Sequence, residues 1–537
     1  MMKKNILLAL IAGSTMLTGC CDDFLDRNPF GSIDNTTFFT APEHANLGAI
    51  ACYSSLRFLN THWANAQLEL GMTADLTPQG FKDAQAFYSG TFNPNEGGII
   101  KGVWQCCYTG IAACNSNIAG VEGMSDAIIS AANRNKHLAE MKFIRAFWYL
   151  RLVQFYGDVP LRTICANPSN AAEVEVAATA KDELIKNFII PELTFAAENL
   201  PQKWDDKDAL RATKGAAYAY LCEANLLVKQ YDAAISAGKQ LESLGYDLLA
   251  DPGRVLRIEE ENSAEIVFSA GLGQGINKWY REYYWGTKED LGEQGRIMRG
   301  DTYSGNYFWP SKEFIDFFQS IDGKSISESS YYDTEKTWKY RDPRFEATFF
   351  TPEDVIVTTK GVTLNWDPSW LDNQATGYDV QKKGIWYGDD TWNKRADIHF
   401  MRLPRVYLFI AEAYAMKGDY ANCNIYVEKV RDRARQFALQ NKDKYVPDGL
   451  EDAEVLPAHV INSKESAMKA INYESRVEFF AEDVLRYFDL KRWGTLKDEW
   501  SRNGEFKWDD KLFNLPYPSD ELNNNSKLKQ NHPGWGN

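Results

Sequence analysis

Apolar residues recur every three to four positions through most of residues 40–250, the spacing of helices that bury one face. In HLAEMKFIRAFWYLRLVQFYGDVPL, Met141, Ile144, Trp148, Leu152 and Phe155 share one such face. Gly157 suits the residue just past a helix end, and Pro160 forbids continuation. KGAAYAYLCEANLLVKQ turns at Gln230-Tyr231 into DAAISAGKQLESLG, predicting two antiparallel helices brought close by small Ala224 and Ala234. The clearest hairpin is AEAYAMKGDYANCNIYVEKV, residues 411–430. There Ala411, Tyr414, the Gly418-Asp419 turn, Tyr420, Cys423, Val427 and Val430 fall at tetratricopeptide spacing. The units are scattered, which predicts a helical scaffold with insertions and not a regular solenoid.

Between about 265 and 400 the pattern changes. AEIVFSAG reads as a strand, and EDVIVTTKGVTLNW alternates like a short hairpin. Ser311 is placed to cap the helix KEFIDFFQS after Trp309-Pro310. NYESRVEFFAEDVLRYFDLKRWG returns to helical spacing, with Val477, Ala481, Val484, Leu485 and Phe488 inward and Glu482–Arg486 as an i,i+4 pair. The Pro- and Asn-rich end, LFNLPYPSDELNNNSKLKQNHPGW, reads as a surface wrap. The fold class is therefore mainly α: tetratricopeptide-like hairpins against an irregular, loop-rich half with short β-hairpins.

Composition sharpens this. A chain of 537 residues with 44% hydrophobic and 25% charged positions is globular, and a net charge of −15 argues against nucleic acid. The start, MMKKNILLALIAGSTMLTGCC, has two lysines and an apolar run too short to span a bilayer, so residues 1–19 read as a secretory leader. Leu17-Thr18-Gly19-Cys20 resembles the lipobox of bacterial lipoproteins, which makes Cys20 the acylated first residue of the mature chain. Asp22 and Asp23 resemble the signal that sends some lipoproteins to the outer face of the outer membrane. The remaining cysteines lack zinc spacing, and most sit in apolar helical patterns as small buried hydrophobes. No EF-hand spacing or other motif calls for a cofactor.

Six segments in order resemble the SusD/RagB family: CCDDFLDRNPFG, FIRAFWYLRLVQFYGDVPL, AEIVFSAG, MRLPRVYLFIAEAYAMKGDYANCNIYVEKVRDRA, VEFFAEDVLRYFDLKRWG and LPYPSDELNNNSKLKQNHPGW. Asp483-Val484-Leu485 departs from the shorter glycine-containing turn common in that family. The resemblance implies a region of tetratricopeptide-like helices over 20–260 and a region over 261–537 with ligand loops and a further hairpin. It also implies a surface-exposed, lipid-anchored protein of the cell outer membrane. Such a protein lies over a SusC-like TonB-dependent transporter and delivers nutrient, usually oligosaccharide; peptide is the alternative cargo.

INKWYREYYWG, residues 276–286, gathers five aromatic residues in a glycine-rich stretch. A sugar ring needs a flat apolar plate for its C–H face and fixed polar groups for its hydroxyl edge. Trp279, Tyr283, Tyr284 and Trp285 are candidate plates, with Asn277 and Arg296 as edge contacts. An earlier loop offers Phe81, Phe87, Tyr88, Lys82 and Asp83. Against this, Tyr280, Tyr283 and Tyr284 share a helical face that a core would also use. Trp104 reads as core, and Trp386, Tyr387 and Trp392 as packing. A glycoside hydrolase is the weaker alternative: acidic residues abound, but no nucleophile elbow, H-E-x-x-H or Walker loop is present. A transporter partner without any ligand pocket is the third reading.

Overall fold

The computed structural model describes residues 38–57, 75–78, 82–95, 99–167, 169–255, 260, 262–270, 308–349, 351–353, 355–357, 363–365, 398–480, 482, 485–502, 504 and 506–536. Its N-terminal helices are α1 (Pro42–Tyr53), α2 (Lys82–Ser89), α3 (Ile99–Glu122) and α4 (Ala131–Tyr156). All five apolar positions read from α4 are fully buried. A Cβ at Gly110 would lie 2.2 Å from the Trp148 indole nitrogen, so glycine is what lets α3 approach α4. That indole donates to Ser55 Oγ at 2.8 Å. Trp104 is buried, as its helical pattern predicts. Gly157, with φ +78°, ends α4.

Helices α5 (Ile190–Asn199), α6 (Lys214–Leu227) and α7 (Tyr231–Lys239) follow. Thr213 starts α6 by accepting from Ala216 N at 3.1 Å. Ala224 and Ala234 are fully buried where α6 meets α7.

Three antiparallel two-stranded ribbons mark the loop-rich half. Their strands are β1 (Leu76–Pro78), β2 (Ile266–Ala270), β3 (Phe308–Pro310), β4 (Val355–Val357), β5 (Thr363–Asn365) and β6 (Ile398–Arg402). They pair as β1·β3, β2·β6 and β4·β5. Ser311 caps α8 (Lys312–Phe317), accepting from Phe314 N at 3.1 Å as expected.

The C-terminal helices are α9 (Leu403–Lys417), α10 (Tyr420–Gln440), α11 (Lys464–Glu478), α12 (Leu485–Trp493) and α13 (Leu496–Trp500). Between α9 and α10, Gly418 adopts the left-handed conformation at φ +79°, and Asp419 accepts from Asn422 N at 3.1 Å. Tyr414 stacks on Tyr426 at 5.9 Å, while Cys423, Val427 and Val430 are buried. Helix α7 packs on α9, so hairpins distant in sequence stack as tetratricopeptide units do. One apolar core runs from Phe39 to Leu528, with a smaller cluster around Ile321, Ala434 and Val455.

Two expectations need correction. The stretch from 472 to 494 is not one helix: α11 ends at Glu478 and α12 begins at Leu485. Val477, Leu485 and Phe488 are buried, whereas Ala481 and Val484 lie outside the described residues. Glu482 binds Arg402 at 2.7 Å, and Arg486 turns to Glu499 at 3.2 Å and Asn472 at 2.6 Å, so the break redirects both members of the expected pair. The C-terminal stretch does more than wrap the surface. It buries Leu512, Leu515, Tyr517 and Leu528, and bonds the end of α4 through Leu515 N to Phe155 O at 2.9 Å and Asn531 Nδ2 to Tyr156 O at 2.9 Å.

Candidate functional site

The two loops singled out from sequence grow from one ribbon. In β1·β3, Pro78 faces Phe308, so the chain leaving at residue 79 and the chain arriving at residue 307 meet at the same end. The other end of segment 271–307 is rooted in β2·β6, where Ala270 faces Ile398. Both roots are held by buried charge, and both attach to α11.

Asp75 precedes β1 and accepts from Arg476 Nε at 2.8 Å, while its carbonyl takes the Ser311 N–H at 2.8 Å. Arg476, on α11, also reaches Glu313 of α8 at 2.6 Å and Glu499 of α13 at 3.4 Å. Its guanidinium lies 4.2 Å from the Phe317 ring centre. Burial raises the Asp75 carboxyl above its ordinary range, against the pull of Arg476. Burial would raise Glu499 too, but Arg486, Arg476 and Arg502 hold it below its ordinary value.

Two residues along α11, Glu478 meets Arg402 at 3.2 Å and Arg433 at 2.5 Å. Arg402 closes β6, pairs with Glu265 immediately before β2, and takes both oxygens of Glu482 at 2.7 and 2.8 Å. Beside them Glu474 accepts from Arg344 at 2.6 Å, Arg431 at 3.0 Å and His459 at 2.8 Å. Burial would push Glu474 upward, yet those partners hold it well below the carboxylate range. These groups fix backbone; among the described residues no group of His, Cys, Asp or Glu is placed to hold a metal ion.

The nominated ligand contacts fare unevenly. Tyr88 is half-buried on α2, which packs beside β1 and also carries Asp83. Phe87 is fully buried and stacks on Phe92 at 4.4 Å, and Phe92 lies 5.4 Å from Trp535, so Phe87 is core and not a plate. Cys20, Phe81, Asn277, Trp279, Tyr283, Tyr284, Trp285 and Arg296 lie outside the described residues, as do Trp386, Tyr387 and Trp392. Sequence reading missed Asp75, Arg476, Glu478 and Arg402. The available signal was YESRVE in α11, where three charges interrupt what a purely apolar buried face would show.

A cavity of about 610 Å³ lies elsewhere, at the C-terminal end of α4 between Asp158, Lys181, Lys491, Phe513 and Gln530. Lys491 donates to the carbonyls of Gln154 and Phe155 and, at 2.9 Å, to Asn514, capping α4. Burial, then nearby Lys181, lowers its pKa well below the usual lysine value. Its three acceptors belong to the end of α4 and the C-terminal stretch, which makes this lysine structural.

Comparison with known proteins adds an independent line. The family described as "SusD family" matches residues 265–535, and "Starch-binding associating with outer membrane" matches residues 23–226. SusD-like protein P2 of Formosa agariphila is 24% identical, covering 99% of this chain and 100% of its own. SusD-like protein P25 of the same organism is 22% identical over 89% of this chain and 88% of its own. A SusD-like protein from Bacteroides fragilis superposes with a TM-score of 0.74 at 21% identity, covering 94% of this chain and 99% of that one. A laminarin binding SusD-like protein gives 0.67 at 23%, covering 91% and 98%. Surface glycan-binding protein A from Bacteroides thetaiotaomicron, in complex with laminarihexaose, gives 0.64 at 18%, covering 91% and 99%. Among the described residues no helix is long and apolar enough to cross a membrane. With stacked helical hairpins and family matches along nearly its whole length, this chain belongs to the SusD family.

Proposed function

We propose that the chain is a cell-surface lipoprotein, anchored in the outer membrane through acylated Cys20, that binds oligosaccharide or polysaccharide and delivers it to a SusC-like TonB-dependent transporter. The loops that begin at residue 79 and end at residue 307 carry the ligand, one from region 20–260 and one from region 261–537. Trp279, Tyr283, Tyr284 and Trp285, together with Phe81 and Tyr88, supply plates, and Asn277, Arg296 and Asp83 bind hydroxyls. The observation that carries this reading is the β1·β3 ribbon, in which Pro78 faces Phe308 and the two aromatic-bearing loops share a root. Relatives named for laminarin and laminarihexaose, and the starch-binding description of residues 23–226, support a glucan as cargo.

Stacking a planar ring on an aromatic contributes roughly 1–3 kcal/mol, with a sugar face at the lower end. Two plates with several hydrogen bonds, less ordering costs, give dissociation constants of about micromolar to millimolar, suited to a receptor that must release its cargo. No catalytic step is assigned.

Affinity electrophoresis of the mature chain in gels containing laminarin or amylopectin tests the reading. Retardation in at least one gel, with no release of reducing sugar, is the expected result. Migration unchanged in both, together with binding of a tryptic peptide digest, would transfer the cargo to peptides.

A further inference from the structure

Segment 271–307 is tethered at both ends to one helix: through Arg476 and Asp75 to β1·β3, and through Glu478 and Arg402 to β2·β6. Two residues of helix turn the chain by about 200°, so Arg476 and Glu478 leave opposite faces of α11 and each reaches a different ribbon. We infer that Arg476 and Glu478 are positioning residues for ligand binding, setting the distance between the two ribbons from which the candidate loops emerge.

The chemistry favours this over simple adhesion. A guanidinium is a rigid fork, and Arg476 divides its donors between Asp75 before β1 and Glu313 in the first turn of α8, just after β3. Both strands of the ribbon are thereby referred to one planar group. Arg402 does the same for the second ribbon, joining Glu265 at the start of β2 to Glu478 and Glu482 from the end of its partner strand. Apolar packing tolerates small slips because it is non-directional; a shared fork does not. A change at residue 476 therefore alters binding without touching ligand. The affinity part of this inference rests on the loops at 79 and 307 being the ligand loops.

The test compares Asp75→Asn, Arg476→Lys and, as a remote control, Gly418→Ala at the α9–α10 turn, where φ is +79°. Asp75→Asn keeps the shape but removes the charge; Arg476→Lys keeps the charge but removes the fork. Amide hydrogen exchange is followed at residues 75–77, 308, 309 and 311, with laminarihexaose and maltohexaose affinity measured by calorimetry well below Tm. The inference expects faster exchange at the ribbon and affinity weaker by about tenfold in both variants, whereas Gly418→Ala lowers Tm and leaves affinity intact. Unchanged ribbon exchange in both variants overturns the positioning role, whether or not a sugar binds. Faster exchange with unchanged affinity overturns its effect on ligand. If the unmodified chain binds neither hexaose, the glucan assignment fails, and the exchange data alone decide the positioning role.

Discussion

Helices α4 and α11 are both largely buried and both bury charge, α4 through Glu140 and Arg145, but α4 presents the larger apolar stripe and α11 packs three charges between residues 474 and 478. Helix α4 is held by Met141, Ile144, Phe147, Trp148, Leu152 and Phe155 in an apolar core, with Phe147 edge-on to Trp148 and Tyr220. Helix α11 buries Glu474, Arg476 and Glu478, each answered by a charge from another element. Apolar burial supplies stability in proportion to area and is indifferent to small shifts. Buried ion pairs return little net stability, because desolvation offsets their attraction, but they penalise any arrangement that leaves one partner alone. The apolar stripe of α4 thus supplies cohesion, and the charged run of α11 fixes placement.

The sharpest way to break this contrast is to remove one charge from the second system. Arg402→Met leaves Glu265, Glu478 and Glu482 together without their common partner, and urea unfolding should record a loss of about 3–5 kcal/mol. Leu152→Ala in α4 should cost about 2–5 kcal/mol through an apolar cavity. The two differ in rescue. A second substitution removing Glu482 should restore stability in the Arg402 variant, whereas only refilling the volume should restore α4. Absence of coupling between residues 402 and 482 in that cycle would erase the distinction.

Acid should separate the halves in a second way. Burial, then Arg402, lowers His399 on β6 to about 4. The unfolded chain takes up that proton first, near pH 6.5, so stability falls by about 3 kcal/mol as pH drops from about 6.5 to 4. Burial would raise Asp489, but Arg405 and Arg492 hold it at about 2. Its contribution of about 3 kcal/mol is complete above the unfolded value of about 3.9 and disappears as pH falls through 2. Tm measured against pH should decline in these two stages. His399→Gln should flatten the first and Asp489→Asn the second. The smallest effect is expected at Ser311→Ala, which removes the cap of α8 beside β3 and should cost about 1 kcal/mol by thermal unfolding.

The same contrast explains what the sequence made legible. The stripe on α4, the Gly418-Asp419 hairpin, the Ser311 cap, strand β2 and the β4·β5 hairpin all announce themselves through local periodicity or a local turn. The break between α11 and α12 does not. Val477, Leu485 and Phe488 keep helical spacing across it, and the charges of YESRVE look like a solvated face until Arg344, Arg402 and Asp75 arrive from far along the chain. Phe87 misleads for a related reason: its partner Phe92 comes from a following turn, and Phe92 in turn packs on Trp535 from the extreme C-terminus. For the candidate site, the common root of the two loops appears only in the pairing of Pro78 with Phe308, a long-range register no local pattern encodes.

The most direct measurement is calorimetric titration of laminarihexaose and maltohexaose into the mature chain and its Tyr284→Ala/Trp285→Ala variant, with circular dichroism and Tm recorded for both. The account predicts binding of at least one hexaose by the unmodified chain, loss of that binding in the variant, and an unchanged helical signal. Equal affinity in both proteins, or collapse of the helical signal in the variant, would contradict the assignment of these rings to ligand.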